Sequence, residues 1–205
     1  MLTEYVEKIL KARVYDVAIE SPLEEMPRLS RRLNNAIWLK REDLQPIFSF
    51  KLRGAYNRMC YLSELEREQG VVAASAGNHA QGVALAAEKL GISALIVMPT
   101  TTPPIKVEAV RSFGAEIVLY GDSYDEACDH ALGIAKEQGR VFIHPYDDPE
   151  VIAGQGTIAM EIIRQHTDPF DAVFIPVGGG GLIAGMAAYI KTFWPEVKVI
   201  GVEPV

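Results

Sequence analysis

Ala94-Leu95-Ile96-Val97-Met98 sets five apolar residues side by side. A strand with one wet face alternates polar and apolar side chains. A run without alternation fits a strand covered on both faces, as in a parallel sheet. The same reading extends outward to Glu116-Ile117-Val118-Leu119, Val141-Phe142-Ile143, Ala172-Val173-Phe174-Ile175 and Val197-Lys198-Val199-Ile200-Gly201-Val202. Val71-Val72-Ala73-Ala74 is a weaker sixth. Helical patterns fill the intervals. Ser63-Glu64-Leu65-Glu66 and Ser123-Tyr124-Asp125-Glu126 are capping-box sequences, and Gly70, Gly91, Gly114 and Gly139 stand where helix C-caps are expected. Repeated alternation of strand and helix predicts an α/β fold with a mostly parallel sheet.

The chain has 205 residues, 49% apolar and 23% charged, enough for one domain with a sizeable core or two small ones. Its 20 basic and 27 acidic residues give a net charge of −7 with no basic patch, which argues against nucleic-acid binding and a polybasic membrane anchor. Cys60 and Cys128 cannot make a disulfide framework, so a reducing cytosol is the simpler compartment. Met1-Leu2-Thr3-Glu4-Tyr5 lacks the basic stretch and apolar run of a secretory leader, and a cytoplasmic location is expected. Ala172 to Ile190 is uncharged over 19 residues, close to transmembrane length, but Pro176 and four glycines interrupt it. A strand, a glycine turn and a buried helix account for it better. The breaks in the chain are faint and fall at Arg41-Glu42-Asp43 and at the turn-rich His144-Pro145-Tyr146-Asp147-Asp148-Pro149. The segment between them holds four of the six expected strands and reads as its own lobe.

Three motifs stand out. In Ser49-Phe50-Lys51-Leu52-Arg53-Gly54-Ala55, Ser49 is a plausible N-cap for a helix to about Leu62. Lys51 then falls in the first turn between apolar neighbours. The positive end of the helix dipole, together with burial, would lower its pKa and free its amine, as covalent imine chemistry requires. Spacing alone also allows Lys51 and Arg53 to be two more solvated cations after Lys40 and Arg41. Ser75-Ala76-Gly77-Asn78-His79-Ala80-Gln81-Gly82 follows a strand and opens a helix ending near Leu90. Such a turn exposes consecutive N–H groups to a carboxylate or phosphate, although an ordinary strand-to-helix turn fits equally. It is not a P-loop, because Val83 stands where lysine is required.

The third motif is Gly178-Gly179-Gly180-Gly181-Leu182, between a strand and a helix to about Phe193. Four glycines are costly in backbone entropy and make sense where a ligand, a phosphate first, approaches the main chain. Close helix–strand packing is the plainer alternative. A rival of another class is a dinucleotide-binding module: Gly179, Gly181 and Ala184 fit G-x-G-x-x-G/A, with Glu203 at the end of the next strand as the ribose-binding acid. The histidines and cysteines show no metal-ligand spacing. Cys128 reads as a small core residue.

Taken together and in this order, the three motifs resemble the serine/threonine dehydratases of the fold-type II pyridoxal-phosphate enzymes. The resemblance runs from Val14-Tyr15 and Ser21-Pro22-Leu23 through Lys40-Arg41-Glu42-Asp43 to Gly201-Val202-Glu203. It implies a two-lobed α/β fold: 1–47 as the first part of the large catalytic lobe, 48–148 as the small lobe, and 149–205 as the large lobe continued and incomplete. It implies pyridoxal 5′-phosphate as cofactor, held covalently by Lys51, which then serves as acid and base for the substrate α-proton. Phe50 would pack by the cofactor ring and Asn78 would bond its 3′-oxygen. Gly178, Gly179, Gly180 and Gly181, with Leu182, would hold the phosphate. Ser75, Ala76, Gly77 and His79 would line the substrate carboxylate site. The implied reaction converts L-threonine to 2-oxobutanoate and ammonia, as in isoleucine biosynthesis, with L-serine to pyruvate beside it. The implied partners are the small amino acid substrate and further copies of the chain, as dimer or tetramer. Racemases of this group carry a second serine where this chain has Ala76, so elimination is favoured over racemisation. The large-lobe sheet of the family continues past Glu203, so a truncated chain of doubtful activity alone is a further expectation.

Overall fold

The computed structural model describes residues 2–204. In chain order the elements are α1 (Leu2–Lys11), β1 (Leu23–Glu25), α2 (Pro27–Leu33), β2 (Trp38–Lys40), a 3-10 turn (Glu42–Leu44), α3 (Lys51–Cys60), α4 (Glu64–Gln69) and β3 (Val71–Ala74). Then follow α5 (Asn78–Leu90), β4 (Ala94–Met98), α6 (Pro104–Arg111), β5 (Glu116–Leu119), α7 (Tyr124–Gln138) and β6 (Val141–Phe142). Last come α8 (Pro149–Gln165), β7 (Ala172–Pro176), α9 (Gly181–Phe193) and β8 (Lys198–Val202).

Four strands form one parallel sheet in the order β5-β4-β3-β6. The chain steps from β3 outward to β5, then returns through α7 to place β6 on the far side of β3. That reversal is a topological switch point, and ligands of such sheets bind outside the strand C-termini beside it. The β3 and β4 side chains alternate between two cores. Val71, Ala73, Ile96 and Met98 face α5 and α3, whereas Val72, Ala74, Leu95 and Val97 face Ala127, Ala131 and Ile134 of α7. A third core joins α1, α8 and α9 beneath the parallel pair β7–β8, around Ile9, Ile162, Ile175 and Ile190. No helix among the described residues is long and apolar enough to cross a membrane.

Glycines set how closely the helices cross. A Cβ on Gly82 of α5 would stand 3.1 Å from the Lys51 carbonyl, and one on Gly154 of α8 would stand 2.7 Å from the Arg53 carbonyl. One on Gly185 of α9 would stand 2.8 Å from the Gly156 amide of α8. These three crossings bring the N-termini of α3 and α9 together.

Several local expectations need correcting. The strands β1 and β2 form an antiparallel pair that no apolar run announced. The residue capping α3 is Phe50, in helical conformation and without a side-chain cap; the Ser49 hydroxyl accepts only from the Lys51 N–H, at 3.3 Å. Helix α6 ends at Arg111 with Ser112 as its C-cap, two residues before Gly114. The strand read over 197–202 starts one residue later, at Lys198, and ends at Val202. Both capping boxes are present as read. Finally, Lys40 and Arg53 are not solvated cations. The Arg53 guanidinium is wholly buried, and Lys40 Nζ sits 2.6 Å from a carboxylate oxygen of buried Glu161.

Candidate active site

Lys51 is the first residue of α3. The chain enters this helix through Phe48, which holds a left-handed conformation (φ 56°) rare for a bulky side chain. The Phe48 N–H donates to the Gln45 carbonyl at 2.7 Å, and buried Gln45 is itself tied to the backbone of Ile19. The lysine therefore projects from an anchored turn. Its Nζ donates to the Pro145 carbonyl at 2.7 Å and lies 5.6 Å from the centre of the Phe50 ring. Burial holds its pKa below that of an ordinary lysine, because desolvation penalises the ammonium form.

The loop after β6 supplies the opposite wall. His144 Nδ1 accepts from the N–H groups of Tyr146 (3.3 Å) and Asp147 (2.7 Å), which curls the loop and aims the Pro145 carbonyl at Lys51. Burial lowers the pKa of His144 against the pull of Asp147 and Asp148. The Tyr146 ring lies edge-on to His144, with centroids 4.6 Å apart, and covers the glycine loop. A Cβ on Gly179 would collide with that ring, and one on Gly181 would stand 2.7 Å from the Tyr146 carbonyl. Gly178 and Gly180 face open space, and Gly180 takes φ 89°, which suits glycine.

Between these walls lies a cavity of about 370 Å³, lined by Phe50, Lys51, Pro145, Tyr146, Gln155, Gly178 to Gly181, Leu182 and the chain around Val202 and Pro204. Among the described residues, no group accepts from the N–H groups of Gly178, Gly179, Gly180 or Gly181. They stand at the start of the 13-residue helix α9, whose dipole favours an anion. The Gln155 carbonyl Oε1 is buried in the cavity wall without a hydrogen-bond partner. Free amides and an amine of lowered pKa suit an anionic, carbonyl-bearing ligand that the lysine can attack. A phosphorylated pyridoxal has that chemistry.

The structure thus brings together Phe50, Lys51, Gly178 to Gly181 and Leu182. Ser75, Ala76, Gly77, Asn78 and His79 do not line this cavity; they lie beside it, beyond the C-terminus of β3. Ser75 Oγ accepts from the Gly77 N–H at 3.1 Å, and Asn78 is exposed at the start of α5. The His79 ring is buried, with Nε2 2.8 Å from the Ile143 carbonyl. A carbonyl only accepts, so Nε2 carries the proton. Burial pushes the pKa of His79 down to about 3, and the ring is neutral. Pro145, Tyr146, His144 and Gln155 were not singled out as site residues, since their part depends on contacts across the fold.

The family described as pyridoxal-phosphate dependent enzyme matches residues 14–205. The chain belongs to that family. Within these pyridoxal-phosphate enzymes, a chloroplastic biosynthetic threonine dehydratase of Arabidopsis thaliana is 62% identical over 201 residues, covering 98% of this chain and 34% of that protein. A biosynthetic L-threonine dehydratase of Escherichia coli (strain K12) is 54% identical over 200 residues, covering 98% of this chain and 39% of that protein. The chain therefore spans between a third and two-fifths of the length of these relatives. The solved processed form of threonine deaminase isoform 2 from Solanum lycopersicum superposes with a TM-score of 0.96 at 59% identity, over 99% of this chain and 59% of that one. Maize serine racemase superposes with a TM-score of 0.93 at 33% identity, over 97% of this chain and 61% of that one. The fold is that of the fold-type II pyridoxal-phosphate enzymes. The family membership leaves the dinucleotide reading of Gly179 and Glu203 without support.

Proposed function

We propose that this chain carries the cofactor-binding core of a threonine dehydratase that converts L-threonine to 2-oxobutanoate and ammonia, with L-serine as a second substrate. The observation that carries the reading is the Lys51 amine, of lowered pKa, in one cavity with the free amides of Gly178 to Gly181. These amides hold the cofactor phosphate with Leu182 behind them, and Phe50 flanks the ring. Asn78 reaches it from the start of α5. The bound cofactor supplies an electron sink for the pair left when the substrate loses its α-proton. Lys51 would hold the cofactor through its amine, and the freed Nζ would take the substrate α-proton. Its lowered pKa suits it to that step.

The substrate carboxylate binds at the turn of Ser75, Ala76 and Gly77 and the backbone N–H of His79, whose neutral ring stays engaged with Ile143. Ala76 offers no ionisable group on the opposite face of the substrate, so the proton is not returned there and elimination of the β-hydroxyl prevails. We place the reaction in the cytoplasm and the working enzyme in a homo-oligomer.

The test is reductive trapping. Pyridoxal phosphate is added to the purified chain, the imine is reduced with borohydride, and the modified lysine is mapped by peptide mass spectrometry. A label confined to Lys51 is the expected result. Label scattered over surface lysines, or none, overturns the reading of the site. Threonine-dependent formation of 2-oxobutanoate checks the reaction itself.

A further inference from the structure

Gln155 is the largest unexplained polar group at the site. Its side chain is 1% exposed, and its Oε1 has no hydrogen-bond partner. A buried carbonyl left unpaired keeps the full penalty of its desolvation, so such a group calls for a donor that reaches it. Its position is fixed by the helix crossings on either side. Gly154 lies against the backbone of Arg53 and Gly54, and Gly156 lies against Gly185. The amide nitrogen Nε2 lies against α3 at Gly54, one helical turn from Lys51 and on the same face, and Gln155 and Lys51 line the same cavity. Lys51 shows the complementary surplus: an ammonium has three N–H donors, and its Nζ has one partner, the Pro145 carbonyl.

We propose that Gln155 is a positioning residue for Lys51: its Oε1 is the second acceptor for the lysine amine, holding the proton-bearing Nζ inside the cavity when the amine is not bonded to the cofactor. Pro145 holds the amine at one wall, and Gln155 receives it at the other. An acceptor favours the ammonium form, so Gln155 partly offsets the desolvation of Lys51. The other titratable groups facing Lys51 are His79 from α5 and His144 and Tyr146 from the loop after β6. Helix α9 presents only its glycines and Leu182. On α3, Arg53 is turned away onto Glu42 and Glu161. The inference rests on the reading of Lys51 as the cofactor lysine.

Competitive acetylation tests it in cofactor-free protein, with the Lys51 peptide followed by mass spectrometry from pH 6 to 10. Only the neutral amine reacts. Gln155→Leu removes the acceptor, so the apparent pKa of Lys51 falls and labelling at pH 7.5 rises about threefold to tenfold. Gln155→Glu places an anion there and shifts the profile the opposite way. A purely structural role does not move the profile in opposite directions for the two variants. Profiles equal to the parent for both variants overturn the inference, and where the leucine variant does not fold, the glutamate variant decides. Pyridoxal phosphate added before the label separates the two readings. Protection of Lys51 with unmoved variant profiles sinks the role of Gln155 alone, whereas absence of protection sinks the cofactor reading.

Discussion

Lys51 carries the most chemistry of any side chain here. In the role proposed for it, replacement by alanine would remove the covalent hold and the proton carrier together. The expected outcome for Lys51→Ala is loss of at least about 1,000-fold in threonine turnover, read by 2-oxobutanoate formation, with an unchanged circular dichroism spectrum. Turnover at the parent rate refutes the assignment. His79 leads to a pH prediction. Its pKa in the fold is about 3 against 6.5 for a free imidazole, so the unfolded chain binds the extra proton between those values. Stability from His79 is therefore complete above pH 6.5 and is lost as pH falls toward 3. Between pH 6.5 and 5 the loss is roughly 2 kcal/mol. His79→Gln keeps a donor for the Ile143 carbonyl and cannot titrate. Its melting temperature is expected to fall less than the parent's over that interval, and equal slopes refute the account. Local spacing left Lys51 open to being a solvated cation, and it was the resemblance of the three motifs together that singled it out; the structure places it half-buried in the cavity wall. Arg53 was not legible in the sequence, since nothing local reveals that Glu42 and Glu161, far apart in the chain, meet on it. His144 and Gln155 were hidden for the same reason: one shapes a loop and the other faces a cavity that exists only in the assembled fold.

At the scale of elements, all six apolar runs proved to be strands, although β5, β7 and β8 keep exposed residues and are not covered on both faces as their patterns suggested. The wholly buried strand β4 carries the continuous apolar run that identifies a parallel sheet, whereas β3, equally buried, ends in two alanines and was the weaker signal. The pair β1–β2 escaped because each strand is three residues long, half of them charged, and their pairing is antiparallel. The strand order was not readable either, because the return of β6 beside β3 depends on the α7 crossover and not on any local pattern. The glycines of α3, α5, α8 and α9 were similarly silent: within a helix a glycine costs about 1 kcal/mol, and the reason for bearing that cost is the neighbouring helix. Gly154 is a clear case, with the α3 backbone 2.7 Å from where a Cβ would stand. Backbone cannot rotate away as a side chain can. Gly154→Val is expected to destabilise the fold by about 3 kcal/mol or more, measured by urea unfolding, and to lower pyridoxal phosphate affinity as α3 is pushed from α9. Gly133 of α7 has open space around it and serves as the control, where alanine is expected to stabilise the helix slightly.

Across the whole molecule, one polar cluster ties distant segments together. Arg53 of α3 pairs with Glu42 after β2 and with Glu161 of α8, and also donates to Thr157 and the Ile19 carbonyl. Lys40 of β2 reaches the same Glu161, and Tyr15 donates to it at 2.9 Å. Two cations and two carboxylates balance, so the cluster adds no net charge to the interior. Its members come from the N-terminal region, α3 and α8, and Arg53 and Lys51 leave α3 close together on different faces. The cluster therefore fixes the helix that carries the lysine against the helix that carries Gln155. Removing one member leaves its partners charged and dry. Arg53→Met is expected to cost about 3–5 kcal/mol, because Glu42 loses its fork and Glu161 keeps only Lys40 and Tyr15. Pairing that change with Glu161→Leu and Lys40→Met removes most of the stranded charge with it, so the triple variant is expected to recover part of the lost stability. A surface network would weaken as salt rises, but a buried one is screened little, so the penalty of Arg53→Met is expected to be the same at low and at molar salt. A penalty that disappears in molar salt would place the cluster in contact with solvent and refute its role as the joint between α3 and α8.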